Sequence, residues 1–447
     1  MLVKQNLRMI KRLAKSIPDT ARAALGVWTQ KWQRSPWESD PVGKLETSPI
    51  RNYGSTIDGV QVTTVTPPNG HYMTTFFDVC PFSPSGNLVA VTRVPFINRI
   101  PVPGDKALVC VIDLRTGETK TVHETGGWGA QLGANVQWGS SDRILFCNDA
   151  IAGTAKAVRI DLDSGHRTSL NGPVYGTDPK RRYSYSADLR LINALIPGYG
   201  IPEHPFDKYK QPERCSSSNG LWRTDLETGG CELVASMRDI VAQLSDQEKL
   251  SRGKYFLFNV KVDPTGTKLL LVIFVKEIPG RVGHALQLVT TDLDGRNARL
   301  VVTDSAWTKG GHHPNWSADG SGILMNLKID GKMRFVNISP DDGSIGLVGG
   351  EAKGSGHPTL HSSGKYVLTD SYISEGFRDN QGNVPLRLID AAKGTERSIC
   401  KIFTKNLDGP RRIDPHPAWD MNYQRIAFNG IVDGFRQVMI ADLSKIV

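Results

Sequence analysis

Two short elements alternate along this chain, seven copies of each, and the alternation restricts the fold more than any other feature. One is an apolar strand that ends in Asp before a polar turn: "VIDLRTGE" from 111, "RIDLDSGH" from 159, "RTDLETGG" from 223, "TTDLDGRN" from 290, "NISPDDGS" from 337, "LIDAAKGT" from 388 and "IADLSKIV" from 440. The other is a tight hairpin turn feeding an apolar strand: "SPSGNLVAV" from 83, "GSSDRILF" from 139, "TDPKRRYSYS" from 177, "DPTGTKLLLV" from 263, "SADGSGILM" from 317, "HSSGKYVLT" from 361 and "WDMNYQRIAF" from 419. Gly, Asp and Asn at these turns tolerate the positive φ that tight hairpins demand. Short strands repeating every 40 to 60 residues or so build a β-propeller, and seven units predict seven blades. A TIM barrel would need helices between its strands, and the pattern has none.

The expected fold is therefore all-β: a seven-bladed β-propeller over residues 48–447. The last unit ends after its third strand, and the stretch "DGVQVTTVTP" at 58–67 reads as the strand that completes it and removes two open sheet edges. Ahead of the propeller, residues 1–47 form a short basic leader. Leu7, Ile10, Leu13 and Ile17 recur there at helical spacing. Ten Lys and Arg against four acidic residues fall in 1–51, which is most of the net charge of +9. The propeller itself is thus only mildly basic, and nucleic acid is not the expected partner. No apolar run is long enough to span a bilayer. The basic first residues lack the apolar core of a secretory signal, and the six scattered cysteines contain no C-x-x-C pair; both features lead to the expectation of a reducing, cytoplasmic location.

Three His-Pro pairs stand before the hairpin turns, in "GGHHPNWSADG", "GSGHPTLHSSG" and "DPHPAWDMNY". Aligning the turns puts His313, His357 and His416 at one place, the start of the innermost strand in blades five, six and seven. Asn259 and Asn135 occupy that place in blades four and two. Innermost strands line the central channel, so imidazoles at matching positions converge near the axis. Neutral imidazole is the commonest metal ligand, and three of them suit Zn²⁺ or Mn²⁺, with Asn259 as an oxygen donor. The absence of a carboxylate from this set argues against Ca²⁺ or Mg²⁺. Of the vicinal pair, His313 fits the ligand position and His312 is free to act on a substrate as a base, although the two assignments could be exchanged. His71 in "NGHYMTTFFD" and Tyr199 in "PGYG" are candidates for substrate contact.

The stretches "FFDVCPFSPSGNLVAV", "GWGAQLGANVQW", "GPVYGTDPKRRYSYSADLRLINALIPGYG" and "GSGHPTLHSSGKYVLTD" resemble seven-bladed polysaccharide lyases of the ulvan lyase and oligogalacturonate lyase kinds, from about residue 48 to the C-terminus. The Asp-turn repeats are shared with TolB-like propellers. The resemblance implies β-elimination on a uronate-containing oligosaccharide or polysaccharide. It also implies proton transfer by Tyr175, carboxylate binding by Arg190, and a histidine base beside a histidine-rich metal site, to which His312, His313, His357 and His416 are similar in kind. Ulvan lyases carry a histidine pair on an early blade; "GAQLGANVQWGSSDRILFCNDA" has none, which sets ulvan itself aside.

The chemistry explains the demand for cations. The C5 proton of a uronate is too weakly acidic to remove while the neighbouring carboxylate keeps its charge, so a metal or Arg must hold that carboxylate while a base takes the proton. A second function class fits the same repeats: a TolB-like propeller that binds carbohydrate or protein without catalysis. A peptidase of the propeller type would need a hydrolase domain, and the chain has neither a G-x-S-x-G elbow nor residues left over to build one.

Overall fold

The computed structural model describes residues 42–202, 214–245, 253–278, 280–404 and 409–447. These form seven antiparallel sheets arranged as a β-propeller. The expected leader helix lies outside the described residues. Blades two to six have four strands each, and blades one and seven have five. In blade seven, Gln61–Thr64 pairs antiparallel with Phe435–Asp442, so a strand from the N-terminal side closes the ring. Leu45–Thr47 adds an outermost strand to blade one beside Glu118–Thr125, so the propeller begins before residue 48.

The repeated turns have one physical basis. In the Asp-ended turns, the carboxylate accepts backbone N–H bonds two and three residues on. Asp225 takes those of Glu227 and Thr228 at 2.9 and 2.8 Å, and Asp390 those of Ala392 and Lys393 at 3.0 and 2.8 Å. A left-handed glycine, such as Gly229 or Gly394, then returns the chain to the sheet. Because these bonds are local, each turn forms wherever its four or five residues occur.

The blades are buried on both faces, so their central strands read as apolar runs rather than alternating patterns. In Lys268–Lys276 the seven residues between the two end lysines are all buried. Truncating one of them, as in Leu271→Ala, would cost about 2–5 kcal/mol. Polar clasps fasten most blades to a neighbour. Trp138, Trp316 and Trp419 donate their indole N–H to the innermost strand of the preceding blade, at Pro81 O, Lys261 O and Thr359 Oγ1. From the second strands, Asn148 exchanges two bonds of 2.8 Å with Val174, and Asn326 donates to Gly356 O at 2.9 Å. Asn429 accepts the N–H of Thr74 at 3.0 Å. Blade six carries an aspartate, Asp370, in this clasp position.

Blade one departs from the pattern. Its first strand pairs Met73 with Thr92 and resumes with Phe82 opposite Val89, so that residues 74–81 stand against only residues 90 and 91. The extra length carries Phe76 and Phe77 towards the axis, where they pack on His313 and His357, rings of blades five and six. Among the described residues, no helix is long and apolar enough to cross a membrane.

Candidate metal centre

The starts of the innermost strands in blades five, six and seven bring His313, His357 and His416 together. The ring centroids of His313 and His357 are 3.8 Å apart, and those of His357 and His416 4.3 Å. The backbone is shaped for this. His313 and His416 have φ of 57° and 46°, a left-handed conformation uncommon outside glycine. Gly356, with φ of 68°, precedes His357 because any Cβ there would lie 2.2 Å from both the carbonyl and a carboxylate oxygen of Asp370.

Asp370 organises the group. It is 1% exposed. It accepts the backbone N–H of His357 at 2.7 Å and that of His416 at 3.0 Å. Nδ1 of His357 lies 2.9 and 3.0 Å from its two oxygens, so the ring proton sits on Nδ1. The lone pair of Nε2 then points away from the carboxylate. Burial pushes the Asp370 carboxyl up, but the His357 ring beside it and the bonds from both histidines bring it below the ordinary range.

Sequence reasoning overlooked both Asp370 and Asp414. One ligand atom each from His357, Asp414 and His416 lies within 4.8 Å of the other two, and all three residues are buried. His357 Nε2 and both ring nitrogens of His416 have no hydrogen-bond partner among the described residues. Orphaned buried nitrogens are costly unless something occupies them. Burial above all lowers His313 and His416 well below the usual imidazole value and keeps them neutral, the form that ligates. Two imidazoles and a carboxylate could hold Mn²⁺ or Zn²⁺ with positions left open. Asp414 thus contributes the carboxylate that the His-Pro alignment lacked; the "DPHP" spacing, two residues before His416, was its available signal.

The surroundings balance the charge. Arg412 donates to Asp414 at 2.6 Å and to the Tyr199 hydroxyl at 2.6 Å. Burial alone would lower the Arg412 guanidinium, but Asp414, Tyr199 and Tyr372 raise it overall. Arg436 is 3% exposed and feels both Asp414 and His416; burial lowers it to about 10. Two carboxylates, Asp370 and Asp414, are therefore matched by two guanidiniums, and a bound divalent cation would leave a net positive charge for an anionic ligand.

The other predicted residues are spread more widely. His313 Nδ1 lies 2.9 Å from Gly356 O, and its Nε2 lies 3.3 Å from the Tyr372 hydroxyl. His312 is beside it, with Nδ1 accepting from Asn326 at 3.1 Å. Burial pushes His312 down to about 4. Tyr199 joins the centre through Arg412. Tyr175 packs with Phe76, Phe77, Leu132 and Tyr199, and its phenol is raised by burial and then by Asp78. Arg190 pairs with Asp188, the N-cap of the short helix Leu189–Leu195, at 3.1 Å. His71 Nδ1 accepts the backbone N–H of Arg436 at 3.0 Å and its ring rests on Phe435. Asn259 stands at a register shift in Lys254–Val262 and lines an axial cavity of about 390 Å³. That cavity is lined by Phe76 and Phe77 but by none of His313, His357 or His416.

No protein-family model matches the chain, and no curated protein matches it in sequence. Solved structures do match in fold. The oligogalacturonate lyase of Vibrio parahaemolyticus superposes with a TM-score of 0.62 at 16% identity, over 91% of this chain and 99% of that one. An oligogalacturonate lyase in complex with manganese gives 0.62 at 17% identity, over 90% and 98%. TolB from Acinetobacter baumannii gives 0.39 at 12% identity, over 80% of each chain.

Proposed function

We propose that the chain is a lyase that cleaves uronate-containing oligosaccharides or polysaccharides by metal-supported β-elimination at the His357–Asp414–His416 centre. The observation that carries this reading is the pair His357 and His416: buried, held by Asp370, and left with ring nitrogens that have no hydrogen-bond partner among the described residues. The likeness in fold to oligogalacturonate lyases, one of them a manganese complex, supports the same reading.

His357, His416 and Asp414 would hold the metal, which when bound supplies positive charge to an anionic oxygen of the substrate. Asp370 fixes the His357 tautomer. Arg412, with its side chain 29% exposed, is the cation a substrate carboxylate can reach, and its bonds to Asp414 and Tyr199 hold it in place. The side chain of His312 is 24% exposed, whereas those of His357 and His416 are fully buried. His312, whose Nε2 is enclosed but has no hydrogen-bond partner among the described residues, is the proposed proton acceptor. Its depressed basicity suits removal of a proton only once the neighbouring carboxylate is neutralised.

The test is incubation of the metal-loaded protein with a panel of uronic-acid oligosaccharides while following the ultraviolet absorbance of the unsaturated product. A rise on at least one uronide that disappears with chelator is the expected result. No rise on any of them, with metal present, would leave the non-catalytic binding propeller as the better account.

A further inference from the structure

The axial cavity beyond Phe76 and Phe77 has its own chemistry. The segment 74–81 separates it from the histidines: Phe76 lies 4.6 Å from His416 on one side, and both phenylalanines line the cavity on the other. Lys261 and Asp78 in its wall neutralise each other at 2.7 Å. Two further carboxylates in the wall are committed elsewhere, Asp263 to the backbone of its own turn and Asp420 to Arg425. Arg181 differs. It donates to the Thr177 hydroxyl and has no carboxylate within 4.0 Å among the described residues, while burial lowers its guanidinium. Asp178 acts on it only from beyond contact distance, so this partly buried guanidinium keeps room to receive an anion.

The backbone points the same way. In six blades the residue closing the first hairpin turn donates its N–H three residues back and has positive φ. Four of these are Gly86, Gly266, Gly320 and Gly364; the other two are Arg181 at 55° and Tyr423 at 56°. Both exceptions line the cavity. Side chains are thus retained there in a conformation that glycine adopts without strain, a pattern associated with function. Neutral polar groups complete the wall. The Tyr175 hydroxyl and Asn259 Oδ1 have no partner among the described residues. Asn315 uses its oxygen on Lys261 and keeps its amide N–H groups free among the described residues.

We propose that this cavity is a second ligand site, for a hydroxylated carboxylate of monosaccharide size, whose carboxylate is received by Arg181 and whose hydroxyls meet Tyr175, Asn259 and Asn315. A volume near 390 Å³ suits such a ligand. The site is independent of the elimination chemistry.

Calorimetric titration of the full chain, stripped of metal, with D-galacturonate, its methyl ester and D-galactose tests it. Saturable binding of the acid is expected, with the ester and the neutral sugar about tenfold weaker or more. Arg181→Gln should lose acid binding to the same degree, and His357→Ala should bind as the wild type does. Equal binding of acid and ester, or no binding of the acid, overturns the proposal. So does loss in His357→Ala with retention in Arg181→Gln, which would put the carboxylate at the histidine centre. If Arg181→Gln does not fold, the comparison of acid with ester on the wild type decides.

Discussion

Asp370 accepts the Nδ1 proton of His357 at 2.9 Å from within a completely enclosed site, and the same carboxylate holds the backbone N–H of His416 in the next blade. One anion therefore sets the attitude of two imidazoles. Where blades two, five and seven use asparagine to clasp their neighbour, blade six uses a charge, and this is the blade at the candidate metal centre.

Asp370→Asn should keep the fold, since asparagine already serves as a clasp at 148, 326 and 429. Its amide can present N–H to the ring and move the His357 proton to Nε2, away from the tautomer that ligates. Metal affinity should fall roughly 10–100-fold. A competitive titration with a chromogenic chelator measures this, and unchanged affinity would remove Asp370 from its orienting role.

His357→Ala, His416→Ala and Asp414→Asn should each strip Mn²⁺ or Zn²⁺ from the purified protein, read by elemental analysis. His313→Ala should retain it, because the ring of His313 stacks on His357 while its Nδ1 is engaged by Gly356 O. Metal lost from the His313 variant would make it a fourth ligand.

The Asp78–Lys261 pair, with side chains 15% and 7% exposed, braces the segment 74–81 against blade four. Asp78→Ala leaves a buried ammonium unpaired and should destabilise by roughly 3 kcal/mol; Asp78→Leu combined with Lys261→Met should return to within about 1 kcal/mol of wild type. Urea unfolding of both variants reports the difference. A double variant as unstable as the single one would refute the account.

Acid should weaken the propeller through its turns. The N–H of Thr228 on Asp225 and that of Lys393 on Asp390 lower both carboxyls from the ordinary 3.8, and Asn383 with its neighbours takes Asp379 down to about 2. A carboxyl lowered by folding contributes its full stabilisation above the unfolded value and loses it as the pH falls towards the folded one. Stability should therefore drop below pH 3.8, and Asp225→Asn, which preserves the turn, should flatten that decline. Thermal unfolding across the range would show whether the slope changes.

Much of the architecture could be read from the chain because it is written in local chemistry. An aspartate that bonds the N–H groups two and three residues on and a glycine that accepts positive φ act within five residues, so their recurrence stands out without knowledge of what lies opposite. Apolar runs such as Lys268–Lys276 are equally local. The His-Pro pairs were visible for the same reason, since one register repeated three times.

The reach of single side chains across blades was not visible. Asp370 and Asp414 resemble any other aspartates in the sequence, and only the ring of blades turns the one towards His357 and the other towards His416. Arg190 lies in a segment that resembles a functional motif, yet its guanidinium meets the nearest carboxylate, Asp188, at the cap of its own helix. Sequence determined the repeating turns and strands because they depend on neighbours in the chain. The tertiary structure alone decided which charges share a buried space, because that depends on how seven separate sheets close around one axis.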